Sequence, residues 1–130
     1  MRVRGRSVDW NELPSGLSDY QKESQSFITV GKEYEVHALV VFRGFPLLQV
    51  VDDLGLPAWR TSWLFDLVET RIPADWICSV FSDEASVIVG PDFVARDGDS
   101  FGSMVELNGD QVERFWKRVD SQQLRDQDED

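Results

Sequence analysis

Cysteine is nearly missing from this chain: Cys78 stands alone among 130 residues, so no intramolecular disulfide can form. Histidine is as scarce, with His37 the only one. One thiol and one imidazole cannot build a His- or Cys-rich zinc site. A Ser-His-Asp triad would have to use His37, which no Gly-x-Ser-x-Gly elbow accompanies. Neither Gly-x-x-x-x-Gly-Lys nor Gly-x-Gly-x-x-Gly occurs, so the usual phosphate cradle for a nucleotide is missing. No run approaches the ~20 apolar residues of a membrane span. The basic start MRVRGRSVDW leads into no apolar core of signal-peptide length. Together these absences point to a cytoplasmic chain with no metal, no cofactor and no membrane partner. Cys78 follows Trp76 and Ile77 in an apolar run, which predicts a buried, inert thiol.

Positive charge is the other shortage. Thirteen Lys and Arg face 24 Asp and Glu, for a formal charge of −11. Arg2, Arg4 and Arg6 lie in an expected N-terminal tail; without them, residues 7 to 130 carry 24 acids against 10 bases. Such a surface repels a phosphate backbone and so disfavours nucleic acid. It attracts a cationic protein and speeds the encounter.

What the chain does have is apolar alternation. At 42% hydrophobic and 28% charged, it suits one globular domain. The stretch Gly31 to Glu69 holds most of the large apolar side chains. Tyr34, Val36, Ala38, Val40 and Phe42 alternate with Glu35, His37, Leu39, Val41 and Arg43, as one pleated strand requires. On this reading His37 is an ordinary strand residue. Gly44 ends that strand, Phe45-Pro46 turns, and Leu47 to Val51 forms the next. Asp52-Asp53-Leu54-Gly55 is turn chemistry, and Leu56 to Arg60 reads as a connector. Ser62 to Glu69 alternates again, with Trp63, Phe65 and Leu67 inward. Further strands are expected at Ser26 to Val30, Trp76 to Phe81 and Ser86 to Val89, with a short piece at Phe93-Val94.

The period then changes. Phe101, Met104 and Val105 fit a brief helix closed by Asn108-Gly109. Asp110 and Glu113 resemble a capping box, and Val112, Phe115, Trp116 and Val119 make one helical stripe. The fold class that follows is α+β, mainly β: a small SH3-like antiparallel barrel with a C-terminal helix packed against it. Residues 1–25 form a polar N-terminal segment in which Trp10 and Leu13 could make one helical turn. Residues 26–123 form a single globular domain, with the barrel at 26–95 and the helical part at 100–123. Residues 124–130 are an acidic tail expected to fray.

Candidate chemistry is thin. Asp97-Gly98-Asp99 lacks the later ligands of a calcium loop and reads as a turn. Asp52 and Asp53 are the best acid/base candidates, yet neighbours on a strand point to opposite faces, and a turn explains them better. Trp63, Trp76 and Trp116 fall at expected core positions, whereas Trp59 sits in the connector, where exposure and burial are equally supported. No catalytic residue is assigned.

The strings Gly31-Lys32-x-Tyr34-x-Val36, Val51-Asp52-Asp53-x-Gly55 and Leu64-Phe65-x-Leu67-Val68 together resemble small bacterial SH3-like barrels over residues 27–95. Several such barrels are immunity proteins of polymorphic toxin systems. The resemblance implies a protein that binds and blocks one toxin, without catalysis of its own. The net charge, the absent catalytic set and the barrel pattern make a cationic nuclease toxin the expected partner. The expected contact surface is Asp52, Asp53, Trp59 and Arg60 with the turn Asp83-Glu84, the carboxylates standing in for phosphates and Trp59 acting as anchor. The alternative is a regulatory or scaffold domain that takes a peptide along a barrel edge.

Overall fold

The computed structural model describes residues 1–17, 19–96 and 109–128. Its strands pair into two separate antiparallel sheets, and the fold is α+β, mainly β. The first sheet has the order β2-β1-β6, built from Glu33–Glu35, Arg2–Gly5 and Phe65–Glu69. The second has the order β5-β4-β3-β8-β7, from Pro57–Thr61, Phe45–Val51, Ala38–Phe42, Ala85–Gly90 and Ile77–Val80. Three helices accompany them among the described residues: α1 (Asp19–Glu23), α2 (Asp92–Ala95) and α3 (Gly109–Asp128). None is long and apolar enough to cross a membrane.

The N-terminus corrects the expected loose tail. Arg2–Gly5 is the central strand of the smaller sheet, hydrogen-bonded on both sides. Its alternation explains this: Val3 points inward and is buried, while Arg2 and Arg4 point out. The strand reaches its place because Gly5 has no side chain. A Cβ there would overlap the Thr29 carbonyl oxygen, and Gly5 instead exchanges backbone bonds with Lys32 (2.9 Å) and Gly31 (2.8 Å).

The expected single strand from Tyr34 to Phe42 is two strands in two sheets, separated at Val36 and His37. The inward set keeps its phase through the break, and Tyr34, Val36, Ala38 and Val40 are all buried, but in different places. Ala38 and Val40 join Leu47, Trp59, Ala85 and Ile88 on one face of the larger sheet, where Val94 and Ala95 of α2 cover them. Tyr34 and Val36 join Val3, Ile28, Leu64 and Phe65 under its other face, which supplies Leu48 and Val50. The larger sheet is thus buried on both faces near its middle. Each fully buried large aliphatic or aromatic side chain contributes roughly 1.5–3 kcal/mol, so the second cluster holds the two sheets together and the first holds α2 to the larger sheet.

Other expectations shift by smaller amounts. The β3–β4 hairpin turns at Arg43-Gly44, both at positive φ (50° and 84°), and Phe45-Pro46 already belongs to β4. Two such residues match the twist of paired strands. Ser26–Val30 is not a strand: a 3-10 turn covers Ser24–Phe27 and irregular chain follows. Leu56 to Arg60 is not a mere connector, because Pro57–Thr61 pairs along the whole of β4 as an edge strand. In Ser62 to Glu69 a 3-10 turn buries Leu64 and leaves Trp63 half exposed, and Leu67 is 56% exposed on the outer strand β6. Cys78 is exposed rather than buried. The reason is position: β7 is an outer strand with a neighbour on one side only. Phe93 and Val94 sit in one helical turn, α2, rather than a strand.

The helix expected after Asp110 is present as α3, and its Lys117–Glu113 pair forms at 3.2 Å. It runs on to Asp128, through most of the expected fraying tail. Phe115 anchors it, buried edge-on against the His37 ring with centroids 4.8 Å apart. Arg118 clamps it a turn later, with a bidentate ion pair to Asp75. The Phe101–Val105 helix, Asn108 and the Asp97-Gly98-Asp99 turn lie outside the described residues.

Candidate functional site

The six residues expected to form one contact surface are split between interior and exterior. Asp52 closes β4 and Arg60 lies on the adjacent β5, with both side chains on the same face of the hairpin. They meet as a buried ion pair, Nη2 to Oδ2 at 2.7 Å. The second carboxylate oxygen of Asp52 accepts the Leu54 amide at 3.0 Å, and the Arg60 guanidinium lies over the Phe27 ring. Asp52 therefore shapes the turn and neutralises Arg60 inside the protein. Trp59 points to the opposite face and is only 6% exposed, packed in the first cluster. Its carbonyl accepts a 3.2 Å bond from the Gln21 side chain of α1. The expectation of a surface built on Asp52, Trp59 and Arg60 is thereby corrected: β5 turns these side chains inward, and α1 covers its outer edge.

Asp53 stays at the surface but is engaged. Its carboxylate accepts bonds from Thr29 (2.7 Å), Tyr34 (2.7 Å) and Lys32 (3.1 Å). Burial alone would raise its pKa, but the Tyr34, Thr29 and Lys32 donors outweigh it and hold the carboxyl below its ordinary value. The same cluster raises Lys32, first through its bond to Asp53. It also raises Tyr34, first through burial and then through that carboxylate. This is a clasp tying the end of β4 to the start of β2.

Asp83 and Glu84 are exposed in the β7–β8 turn. Glu84 accepts the Arg43 amide at 2.8 Å through its carbonyl and pairs with the Arg43 guanidinium at 3.1 Å. They lie beside the Arg43-Gly44 turn, whereas Asp52 and Asp53 lie at the far end of β4. Seven residues of strand separate the two turns, about 20 Å at the usual rise. The two acidic turns do not form one patch.

His37 occupies the junction between β2 and β3. Desolvation, then the charges of Arg118 and the N-terminal amine, lowers its pKa from 6.5 to about 4. It is a neutral, buried ring that seats α3. Among the described residues no three His, Cys, Asp or Glu side chains converge as metal ligands would. A cavity of about 110 Å³, lined by Arg6, Ser7, Val8, Ile28, Val30 and Leu64, is well below the roughly 300–1,000 Å³ of small-molecule sites.

Two surfaces emerge that the residue pattern alone did not bring forward. The outer face of the smaller sheet sets Arg2 and Arg4 on β1 between Glu33 and Glu35 on β2 and Asp66 and Glu69 on β6. Arg4 reaches Glu33 at 3.6 Å, and the N-terminal amine reaches Glu35 at 3.5 Å. The alternation Arg-Val-Arg and Glu-Tyr-Glu is the signal that could have found it. The second surface is the outer edge of β7, where Cys78 and Val80 are exposed. Ile-Cys-Ser-Val without a charge is its signal, hidden because an apolar run reads equally well as core. No family model, curated protein or solved structure matches the chain.

Proposed function

We propose that the protein is a non-catalytic acidic module that binds a cationic protein partner and blocks it, in the manner of the immunity proteins it resembles. One observation carries this reading: eight of the 13 positive side chains are spent internally. Arg4, Lys32, Arg43, Arg60, Arg71, Arg96, Lys117 and Arg118 each hold a carboxylate of this same chain. The uncompensated charge is therefore acidic. It is also uneven, with 14 acids against nine bases up to Arg96 and 10 acids against four bases from Asp97 onward. A basic toxin domain, for instance a nuclease that binds phosphates, presents the complementary field. Asp53, Asp83 and Glu84 remain surface candidates; Asp52, Trp59 and Arg60 serve the fold.

A second reading, a regulatory or scaffold domain that takes a peptide along a sheet edge, is favoured by the bare strand β7. The test for the first is titration of the chain against purified basic toxin domains encoded beside its gene, at low and high salt. Stoichiometric binding that weakens steeply with salt supports the proposal. Absence of binding to any such domain, or binding indifferent to salt, overturns it.

A further inference from the structure

The described residues include four outer strands, and three of them are protected against pairing with another chain. β2 carries Glu33 and Glu35, and β6 carries Asp66 and Glu69. β5 starts at Pro57, which has no amide proton, and is covered by α1 through Gln21. Charges, prolines and covering elements are the usual devices that stop edge pairing. The fourth, β7, carries neither a charge nor a proline. Its sequence is Ile-Cys-Ser-Val, Val80 is 77% exposed and Ile77 39% exposed.

The free backbone groups can be identified. The Phe81 amide donates to the Ser86 carbonyl at 2.8 Å, so this pair is of the hydrogen-bonded kind. Antiparallel pairs alternate, which turns the amides and carbonyls of Ser79 and Ile77 toward β8 and those of Cys78 and Val80 outward. Among the described residues no strand pairs with that outer side. The same register sets Val80 beside Val87, Val41 and Pro46 in one apolar row across four strands, whose ends Val80 and Pro46 are exposed.

We propose that the outer edge of β7 receives an extended segment of the cationic partner as an added strand, bonded to the backbones of Cys78 and Val80. The inference rests on the binding role proposed above and names where and how that partner is held. Main-chain bonds would supply the grip, and the valine row would select apolar side chains at alternate positions of the segment. Charge selects the occupant. Of the acids around the strand, Asp75, Glu84 and Asp92 are paired with Arg118, Arg43 and Arg96, and Asp83 has no ion pair among the described residues, so the selection comes from the net charge of the chain. A second copy of this chain would bring two molecules of charge −11 together, whereas a segment flanked by Lys or Arg meets the opposite sign.

The probe is a synthetic peptide of alternating Val and Thr flanked by lysines, compared with its glutamate-flanked twin, against the full ¹⁵N-labelled chain. The expected result is amide shifts centred on Cys78 and Val80, with the glutamate twin at least tenfold weaker. Cys78→Pro removes an outward donor while leaving the β8 bonds in place, so it should keep its melting temperature and lose tenfold or more in affinity. Should that variant melt early, Val80→Lys, which changes only an exposed side chain, should show the same loss. Shifts that map instead to α3 would overturn the edge site but leave the acidic-module reading standing. Unchanged affinity in a folded variant, or no binding by either peptide, overturns the proposal. So does concentration-dependent protection of the Cys78 and Val80 amides without peptide, because the occupant is then a second copy.

Discussion

Arg60 and Asp52 form the one fully enclosed ion pair among the described residues, their side chains 4% and 1% exposed and 2.7 Å apart. The pair sits where β4 turns into β5, so the hairpin that carries the buried Trp59 is locked by charge rather than by apolar packing alone. Two residues that read as surface contacts are each other's partners. Every other ion pair among the described residues includes at least one side chain about half or more open to water, and exposed pairs contribute only about 0–1 kcal/mol.

Arg60→Met should therefore be strongly destabilising, by about 3–5 kcal/mol, because it leaves a buried carboxylate uncompensated. The double variant Arg60→Met with Asp52→Leu should recover most of that loss. It should still fall about 1 kcal/mol short, since the Leu54 amide loses its acceptor. Urea denaturation of the two single variants and the double closes the cycle. Additive losses would show that the two charges do not compensate one another.

The His37–Phe115 contact makes stability depend on pH. Folded His37 has its pKa lowered from 6.5 to about 4, by desolvation first and then by Arg118 and the N-terminal amine. The unfolded chain therefore takes up this proton more readily. The stability it contributes is complete above about pH 6.5 and falls as pH drops toward 4, by roughly 3 kcal/mol at ~1.4 kcal/mol per pH unit. Asp53 and Glu69, whose carboxyls are held below their ordinary values of 3.8 and 4.5, act at the acid end of that window and below it. Thermal melts across this range should fall for the parent chain. In His37→Leu they should stay nearly flat between pH 6.5 and 5.

Gln49 lies between Ala38 and Trp59 in the register of the larger sheet, 1% exposed, and neither end of its amide has a hydrogen-bond partner. A buried amide without partners costs about 1–3 kcal/mol. Gln49→Met keeps the length of the side chain and removes both polar atoms, so it should raise stability by an amount of that order. Differential scanning calorimetry gives the sign directly. A lower melting temperature would mean that the amide is satisfied by ordered water.

Legibility followed how far a residue's neighbours are set locally. The middle of the larger sheet was readable because β3, β4 and β8 carry Val, Leu and Ile between glycine turns, and α3 because Phe115 and its stripe repeat at helical spacing. The crossing at Val36-His37 was not, because alternation stays in phase while the chain changes sheets. β1 was hidden by its arginines, although a strand exposed on one face needs only every second residue to be apolar. The expected site failed for a related reason. Whether Asp52, Trp59 and Arg60 face water depends on β5 pairing with β4, a long-range fact that Pro57 concealed.

Trp59 gives the sharpest separation between fold and binding. If it were a surface anchor, Trp59→Ala would weaken partner binding and leave the melting temperature alone. Because the ring is buried in the first cluster, which also holds Leu47, Val40 and Ile88, its loss should instead cost about 3–5 kcal/mol of stability, the usual range for deleting a large core aromatic. The molecules that remain folded should bind a cationic partner as the parent does. The acidic turn predicts the opposite pair of results. Asp83→Asn with Glu84→Gln should hardly change stability, because both side chains are exposed and the Glu84–Arg43 pair is open to water. It should slow association with the partner at low salt, since rim charges act chiefly on the rate of encounter. Chemical denaturation and stopped-flow association on the same two variants would put one loss in each column. A Trp59→Ala chain that melts like the parent would return that ring to the surface and undo the assignment of β5 to the core.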